Sequence, residues 1–505
     1  MDTLIIRGVI LFNPRAAKHK PRIPNSILAI AATIEGKLPY VIVDGNREED
    51  PQAVIEAYLL SGNYNCFACT VMPGPQLKQA IPITRMVRNQ FPACITVWGG
   101  YFASNQSTVV MESGLVDYVI YGPGDRAFPE LVEALHTGTS LHSIPNLIWK
   151  ESGVITKNAK DHLYDQDQLP DLPYATLNRF YPITGYLGKT ILGNKTIAYH
   201  SSIGCPFSCA FCGIVPIFQA RWKGQSAEKI VEHILHVKNT YGGDAIEFHD
   251  NNFFVSEART LEFSRLMRNE NMQWWGEGRI DTIDKYADST LEAMRDSGCK
   301  MIFFGAETGD DQVLQLMDKG GTQTALQIKQ FAARMRKFNI IPEYSFVLGT
   351  PAATPKETRE RIIKDIAFIR EIKRINPDTE IIIYVYSPVP TEGSQLFEAV
   401  QQNGFAFPQT LEEWISPAWE NFDLRKNPLT PWLTPDMVDM IRNFETVLNG
   451  YYPTKSDIKL SAFKRASIRA VSKWRYHAKA YTWPMEIKFL QKYWLRYRQP
   501  EIEGF

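Results

Sequence analysis

The chain has no apolar run of the ~18 residues needed to cross a bilayer, so no membrane span is expected. It has no excess of charge of either sign: Lys+Arg and Asp+Glu both number 55. That balance gives no global pull toward nucleic acid, and no nucleic-acid partner is expected. The start, Met1-Asp2-Thr3, has no basic stretch followed by an apolar core and a cleavage site. A secretory signal is therefore not expected, and a cytoplasmic location is. Cysteines are few and odd in number: Cys66, Cys69, Cys94, Cys205, Cys209, Cys212 and Cys299. An odd count in a long chain argues against a disulfide framework. No G-x-G-x-x-G follows the first apolar run, which argues against an ordinary nicotinamide dinucleotide site. What remains is ordinary globular composition, 44% hydrophobic and 22% charged over 505 residues. At about 150 residues per domain, that length suggests three domains.

The first 150 residues alternate strand and helix patterns. Residues 4–13 form an apolar run ending at Pro14, as in a buried parallel strand. Ile27–Leu38 reads as a helix with Asn25 or Ser26 as its cap, and Tyr40–Val43 as a strand ending at Asp44-Gly45. Further strands are predicted at Cys66–Val71, Ile95–Trp98 and Asp117–Tyr121, with helices at Pro51–Ser61, Pro82–Phe91 and Phe128–His136. The alternation predicts an α/β fold with a doubly wound sheet over residues 1–150. Ligands of such sheets lie beyond the carboxyl ends of the strands. Here those ends are Thr70–Pro75, Gly99-Gly100 and Gly122–Gly124. Their glycines fit either plain turns or close backbone approach to a ligand. Cys66-Phe-Ala-Cys69 lies inside a strand, where alternation puts the two thiols on opposite faces, and buried core is expected for both.

Residues 151–195 read as a linker: acidic, proline-containing text around Asp165–Pro173 and Pro182. Thr196–Ser202 is a strand that runs into Gly204-Cys205-Pro-Phe-Ser-Cys209-Ala-Phe-Cys212-Gly213. Three thiolates on one short loop suit a [4Fe–4S] cluster that keeps one iron open. Zinc usually takes four ligands, often as two cysteine pairs, and no matching second pair follows. A free surface trio would oxidise readily.

Cys205, Cys209 and Cys212, with Phe211 before the last of them, resemble the signature of the radical S-adenosylmethionine (radical SAM) superfamily. The following text resembles that superfamily's partial (β/α)6 barrel over residues 196–400. Predicted strands end at Asp250-Asn251-Asn252, at Arg279, at Gly305-Ala-Glu307-Thr308-Gly309, at Gly349-Thr350-Pro351 and at Pro388-Val-Pro390, with Lys319-Gly320 between helices. A doubly wound domain ahead of the cysteine loop resembles the cobalamin-binding class. Within that class the order of parts resembles the anaerobic magnesium-protoporphyrin ester cyclase and hopanoid methyltransferase branch. No D-x-H-x-x-G occurs in the first 150 residues. Cobalamin would therefore bind without a histidine on cobalt, or be absent.

The resemblance implies that Cys205, Cys209 and Cys212 hold the cluster and that the open iron takes S-adenosylmethionine. It implies cofactor contacts from Phe211, Asp250, Asn252, Arg279, Glu307 and Gly349, and cobalamin contacts from Thr70, Gly74, Gly99, Gly100, Gly122 and Gly124. It also implies an electron donor such as flavodoxin or ferredoxin. The expected reaction is C-methylation of an unactivated carbon in a small-molecule or lipid-like substrate. Oxidative cyclisation or redox rearrangement of a tetrapyrrole or lipid-like substrate is the alternative, and a non-enzymatic cobalamin or cluster sensor is a further one. His249 sits beside Asp250 but alternates to the other face, and a core or surface role is expected for it.

Residues 401–505 change character and read as helical. Pro435–Leu448 is an amphipathic helix with Thr434 as its cap. Between Lys455 and Arg498 there are twelve Lys/Arg against Asp457 and Glu486, interleaved with aromatics such as Trp474, Trp483 and Trp494. Such a segment either lies on an anionic membrane surface, at the inner face of the membrane, or packs its aromatics on the barrel as a cap.

Overall fold

The computed structural model describes residues 5–16, 21–317, 323–386, 395–420, 429–456 and 460–495. Lys319-Gly320, Pro388–Pro390, Asp457 and Arg498 lie outside these described residues.

Two mainly parallel sheets organise the molecule. The first contains β1 (Val9–Asn13), β2 (Tyr40–Asp44), β3 (Cys66–Thr70), β4 (Ile95–Gly99), β5 (Tyr118–Ile120), β6 (Leu147–Glu151) and β7 (Val154–Lys157), in the order 2-1-3-4-5-6-7. β1 to β5 are parallel, and the β6–β7 hairpin adds antiparallel to β5. The hairpin carries this sheet past residue 150, to Lys157. The strand order reverses between β1 and β3, which marks a crevice beyond Asn13 and Thr70. Helices cover both faces, so each strand is buried on both sides and reads as a continuous apolar run. Cys66 joins one of the two flanking cores and Cys69 the other, as strand alternation requires.

The second sheet contains β8 (Thr196–Tyr199), β11 (Ala245–Phe248), β12 (Gln273–Gly278), β13 (Cys299–Glu307), β14 (Ile341–Leu348) and β15 (Glu380–Val385). All six are parallel, side by side in chain order. Among the described residues its edge strands β8 and β15 do not pair, so it is an open, partial barrel. A small antiparallel ribbon, β9 (Ser202–Gly204) with β10 (Trp222–Gly224), brackets the cysteine loop. Trp274, Phe304, Tyr344 and Phe346 point to the helix-covered face, where helices such as Ala325–Phe338 and Pro355–Ile375 bury them.

The segment read as a linker docks on the first sheet. Tyr186 donates to Asp44 Oδ2 at 2.8 Å, and the Tyr181 hydroxyl accepts from the Asp44 amide at 3.2 Å. The segment leading into the first helix meets the second sheet directly. Arg22 pairs with Glu247 at 2.8 Å, and Asn25 Nδ2 donates to Ala198 O at 3.0 Å. That contact replaces the expected cap: Asn25 is already inside the helix Asn25–Ile34, and its side chain reaches β8 of the second sheet. Thr434 does occupy the N-cap position of the helix Pro435–Tyr451, as expected, but its hydroxyl donates to Asp436 and makes no cap bond to the helix amides. Beyond the barrel, Leu411 and Trp414 return to the first domain, with Trp414 edge-on to Phe102 at 5.1 Å.

Candidate active site at the cysteine loop

The loop Cys205–Cys212 begins where β9 stops. Gly204 has a left-handed backbone (φ 75°), and a Cβ there would collide with the Arg221 carbonyl. Only glycine fits so close an approach between loop and ribbon. Just upstream, Asp250 anchors the turn before β9. Its carboxylate accepts from the Ser201 amide at 2.9 Å and from the hydroxyls of Ser201 and Ser202. Arg259 ties the same turn through Ser201 O at 3.1 Å and Gln225 O at 2.7 Å. Asp250 is fully buried, and burial raises its pKa while Arg259 opposes the rise. Its oxygens are engaged with the turn, so it positions the cysteine loop rather than reaching for a cofactor.

Each thiol has a neighbour from a different strand end. Asn252, beyond β11, directs its Nδ2 at Cys205 Sγ, 3.9 Å away, while its buried Oδ1 makes no hydrogen bond. Arg279, beyond β12, donates from Nη1 to Cys209 Sγ at 3.1 Å and lies 3.8 Å over the Phe207 ring. Asp281 holds that guanidinium with two bonds of 2.9 and 2.8 Å. Arg279 therefore faces the loop, not an open pocket. Glu307, at the end of β13, is buried and lies in the electrostatic reach of Cys212. Burial pushes the Cys212 thiol up to about 12, opposed by the Ile214 amide and reinforced by Cys209, Cys205 and Glu307. Cys205 is likewise raised by burial, opposed by the Phe207 and Asn252 amides.

Among the described residues no three Cys, His, Asp or Glu groups stand together at metal-holding distance. The fit of a cluster thus rests on the donor set: three thiols on one loop, two of them beside polar N–H donors.

Glu307 itself has a left-handed backbone (φ 64°) at a break in the β13–β14 register. A non-glycine residue held there stores on the order of 1–3 kcal/mol, which the surroundings must overdetermine. They do: Gln323 Nε2 bonds the carbonyls of Gly305 and Ala306, and Asp365 Oδ1 accepts from Thr308 Oγ1 and Gly309 N at 2.6 and 2.9 Å. Burial pushes the Asp365 carboxyl up to about 7.

Phe211 packs on the cluster formed by Val313, Met317, Tyr386 and Trp432. Gly349 (φ 88°) is covered by Leu433, and its carbonyl accepts from Trp432 Nε1 at 2.8 Å. The face of the barrel turned away from the helices carries Trp275, Glu277, Phe303 and Glu343. Burial pushes both glutamates up to about 8, and Trp275 Nε1 donates to Glu343 at 3.1 Å. His249 shares this face, 5.8 Å from the Trp275 ring.

Residues 199–369 match the model of the Radical SAM superfamily. The chain carries a radical SAM domain. In sequence the chain is 28% identical over 298 residues to an uncharacterized methyltransferase of Pyrococcus horikoshii, covering 58% of the chain and 61% of that protein. It is 24% identical over 316 residues to the anaerobic magnesium-protoporphyrin IX monomethyl ester cyclase of Synechocystis sp., covering 60% and 58%. The chain thus spans about three fifths of the length of these relatives. In fold it is similar to the cobalamin-dependent S-adenosylmethionine radical enzyme OxsB with aqua-cobalamin bound, with a TM-score of 0.71, 15% identity, and coverage of 98% of this chain and 76% of that one.

The radical SAM domain meets the first sheet at Tyr101, which follows Gly99-Gly100. A Cβ at Gly213 would overlap the Tyr101 hydroxyl, and Asn105 Nδ2 donates to Gly213 O at 3.1 Å. The end of β4 therefore abuts the residue after Cys212. Sequence reasoning missed Tyr101, though an aromatic directly after a glycine-ended strand was a usable signal. It also missed Asp281, Asp365 and Arg259, which act through other residues.

The glycines of the first sheet divide. A Cβ on Gly100 would lie 2.7 Å from Thr70 Oγ1, one on Gly124 2.8 Å from Ile30, and one on Gly122 3.2 Å from Asn146. The chain's own packing crowds all three, and Gly100, with a left-handed backbone (φ 86°) against the Val71 backbone, is the one that requires glycine. Gly99 meets nothing nearer than 3.8 Å, and Gly74, before the helix Pro75–Gln90, meets nothing within 4 Å.

Proposed function

We propose that this protein is a cobalamin-type radical SAM enzyme that methylates an unactivated carbon of a small-molecule substrate. The observation that carries the reading is the convergence of Asn252, Arg279, Glu307 and Tyr101 on one three-cysteine loop, with Tyr101 delivered from the other sheet. When bound there, a [4Fe–4S] cluster would supply the electron for cleavage of S-adenosylmethionine, and cobalamin would supply a methyl-carrying metal. Cys205, Cys209 and Cys212 would hold the cluster. Cys205 and Cys212, whose thiol forms burial favours, would release protons on taking up the cluster. Arg279 and Asn252 direct N–H groups at sulfur, the interaction that tunes the potential of such a centre. Tyr101 on Gly213 excludes water from the side facing the first sheet.

Phe211, Glu307 and the Gly349 amide would contact S-adenosylmethionine. Cobalamin would rest near Thr70, Gly74 and Gly99. Binding without a histidine on cobalt is expected from the missing D-x-H-x-x-G motif. The barrel face with Trp275, Glu277, Phe303 and Glu343 suits a substrate with both flat apolar and hydrogen-bonding parts. The reductant would be a flavodoxin or ferredoxin, and the location cytoplasmic with peripheral contact at a membrane.

Anaerobic reconstitution with iron, sulfide, cobalamin and S-adenosylmethionine, followed by product analysis, tests the reading. Formation of 5′-deoxyadenosine together with S-adenosylhomocysteine is expected. 5′-Deoxyadenosine without the second product would favour oxidative cyclisation or redox rearrangement instead of methyl transfer.

A further inference from the structure

The C-terminal helices carry an outward face that nothing in the radical SAM chemistry uses. In the helix Ala462–Ala478, Ile468, Ser472 and Tyr476 are buried, and Tyr476 stacks on Tyr451 at 4.7 Å. The opposite side bears Phe463 and Trp474, which lie on one line because eleven residues separate them, about three turns of helix. They are 73% and 57% exposed. Trp483, Met485, Phe489, Tyr493 and Trp494 are exposed as well, Trp483 by 74%. Phe463 meets Trp494 edge-on at 6.2 Å, and Phe489 lies 5.0 Å from Tyr493, so part of the set joins into one patch. The segment thus splits in two. Tyr476, Ile487 and Leu495 pack inward as a cap, while the residues above are left in solvent.

Charge follows the same division. Residues 460–495 hold eight Lys/Arg and one acid, Glu486. That acid is already occupied by Arg475. Lys473, Lys479 and Lys492 are exposed and make no ion pair with a described residue. Lys464 and Lys473 flank the Phe463–Trp474 line on either side.

We propose that this aromatic, lysine-flanked face docks the protein onto an anionic lipid surface. Aromatic rings settle at headgroup depth, and lysines extend their charge toward lipid phosphates. Each cation near such a surface contributes about 1 kcal/mol, so three unpaired lysines are enough for measurable association. A protein partner would need an acidic, aromatic-accepting groove; a bilayer needs only the charge and rings present here. The inference deepens the peripheral placement above, but its test requires no turnover and no cluster, so it stands or falls apart from the chemistry.

Full-length protein is floated with phosphatidylcholine vesicles, with and without phosphatidylglycerol. Binding is expected only to the anionic vesicles. It should fall at least about tenfold in ~0.5 M salt, where the Debye length contracts, and equally in the variant F463E/W474E/W483E. A second variant, K473E/K479E/K492E, should lose binding with its aromatics intact. Melting temperatures like wild type establish that both variants fold. Equal binding to neutral vesicles, no binding at low salt, or undiminished binding by both variants overturns the proposal. So does a dimer, seen by sedimentation, that F463E/W474E/W483E converts to monomer while vesicles are ignored, since the face would then belong to a second copy of the chain.

Discussion

The two parallel sheets end differently. In the first, the turns after β4 and β5 are closed by the chain itself: Gly100 against Thr70, Gly122 against Asn146, Gly124 against Ile30. In the second, the turns carry charged or amide side chains that face the cysteine loop. Glycine at a strand end thus marks a tight turn more often than a ligand. A polar side chain there, buried and supported by a further residue, marks the site. The strand cysteines differ from the loop cysteines in a similar way, with Cys94, just before β4, as an exception: burial raises its thiol, but the Phe67 amide and Arg88 oppose the rise. Cys66, Cys69 and Cys299 lie within strands, and burial raises all three thiols with no amide or cation opposing it. Cys205 and Cys212 are also raised, but N–H groups offset part of the shift.

The largest expected effect separates those two sets. Replacing Cys205, Cys209 or Cys212 by Ala should abolish iron and sulfide uptake and the brown colour of the anaerobically reconstituted protein. Cys66→Ala, Cys69→Ala, Cys94→Ala and Cys299→Ala should keep both, and loss of iron in Cys299→Ala would break the comparison.

Arg279→Gln comes next. It removes the two bonds that Arg279 makes to the buried Asp281 carboxylate, at a cost of about 3–5 kcal/mol by denaturant unfolding. The double variant R279M/D281L should regain most of that stability while iron uptake stays low. If uptake returned as well, Arg279 would be a fold residue and not a partner of Cys209.

Asp365→Asn keeps both hydrogen bonds to Oδ1 and removes the proton. Because the folded carboxyl titrates near 7 and an unfolded one near about 4, the wild type loses stability as pH rises between those values. The Asn variant should not. The gap at pH 8, measured by thermal or urea unfolding, should be on the order of 2–4 kcal/mol in favour of Asn.

Where the sheets touch, Gly213→Ala should lower stability by about 1–3 kcal/mol through overpacking on Tyr101. Tyr101→Ala should relieve it, giving a non-additive double-mutant cycle. Smallest of all, Gly99→Ala should leave stability within about 0.5 kcal/mol and yet weaken cobalamin retention on a desalting column. Unchanged retention would assign Gly99 to the same plain-turn class as its neighbours.

Much of the framework was legible because parallel strands buried on both faces leave unbroken apolar runs. β2, β3 and β4 lie within one or two residues of the segments read from sequence, and β11 and β12 end within two residues of the predicted strand ends. Boundaries slipped where two prolines competed. Pro82 suggested a helix start, but the helix begins at Pro75, after Gly74, and contains Pro82. The short helices Gly100–Asn105 and Ser107–Glu112 were too brief to show a period. The cysteine set was plain from spacing, whereas the role of Asp250 was not. Its partners, Ser201 and Ser202, lie almost fifty residues upstream, and only the β8–β11 pairing brings them together.

The tyrosine clamp on Asp44 bears on where the chain can be cut. A fragment ending at Lys157 would contain every strand of the first sheet yet lose Tyr181 and Tyr186. Asp44, whose pKa burial raises, would then keep, among the described residues, Asn13 and Asn46 as side-chain partners. A fragment ending after Leu187 retains both hydroxyls. The smallest autonomous piece of this half is therefore set by two phenols some thirty residues beyond its last strand, and the segment between the domains is inherited with the first of them.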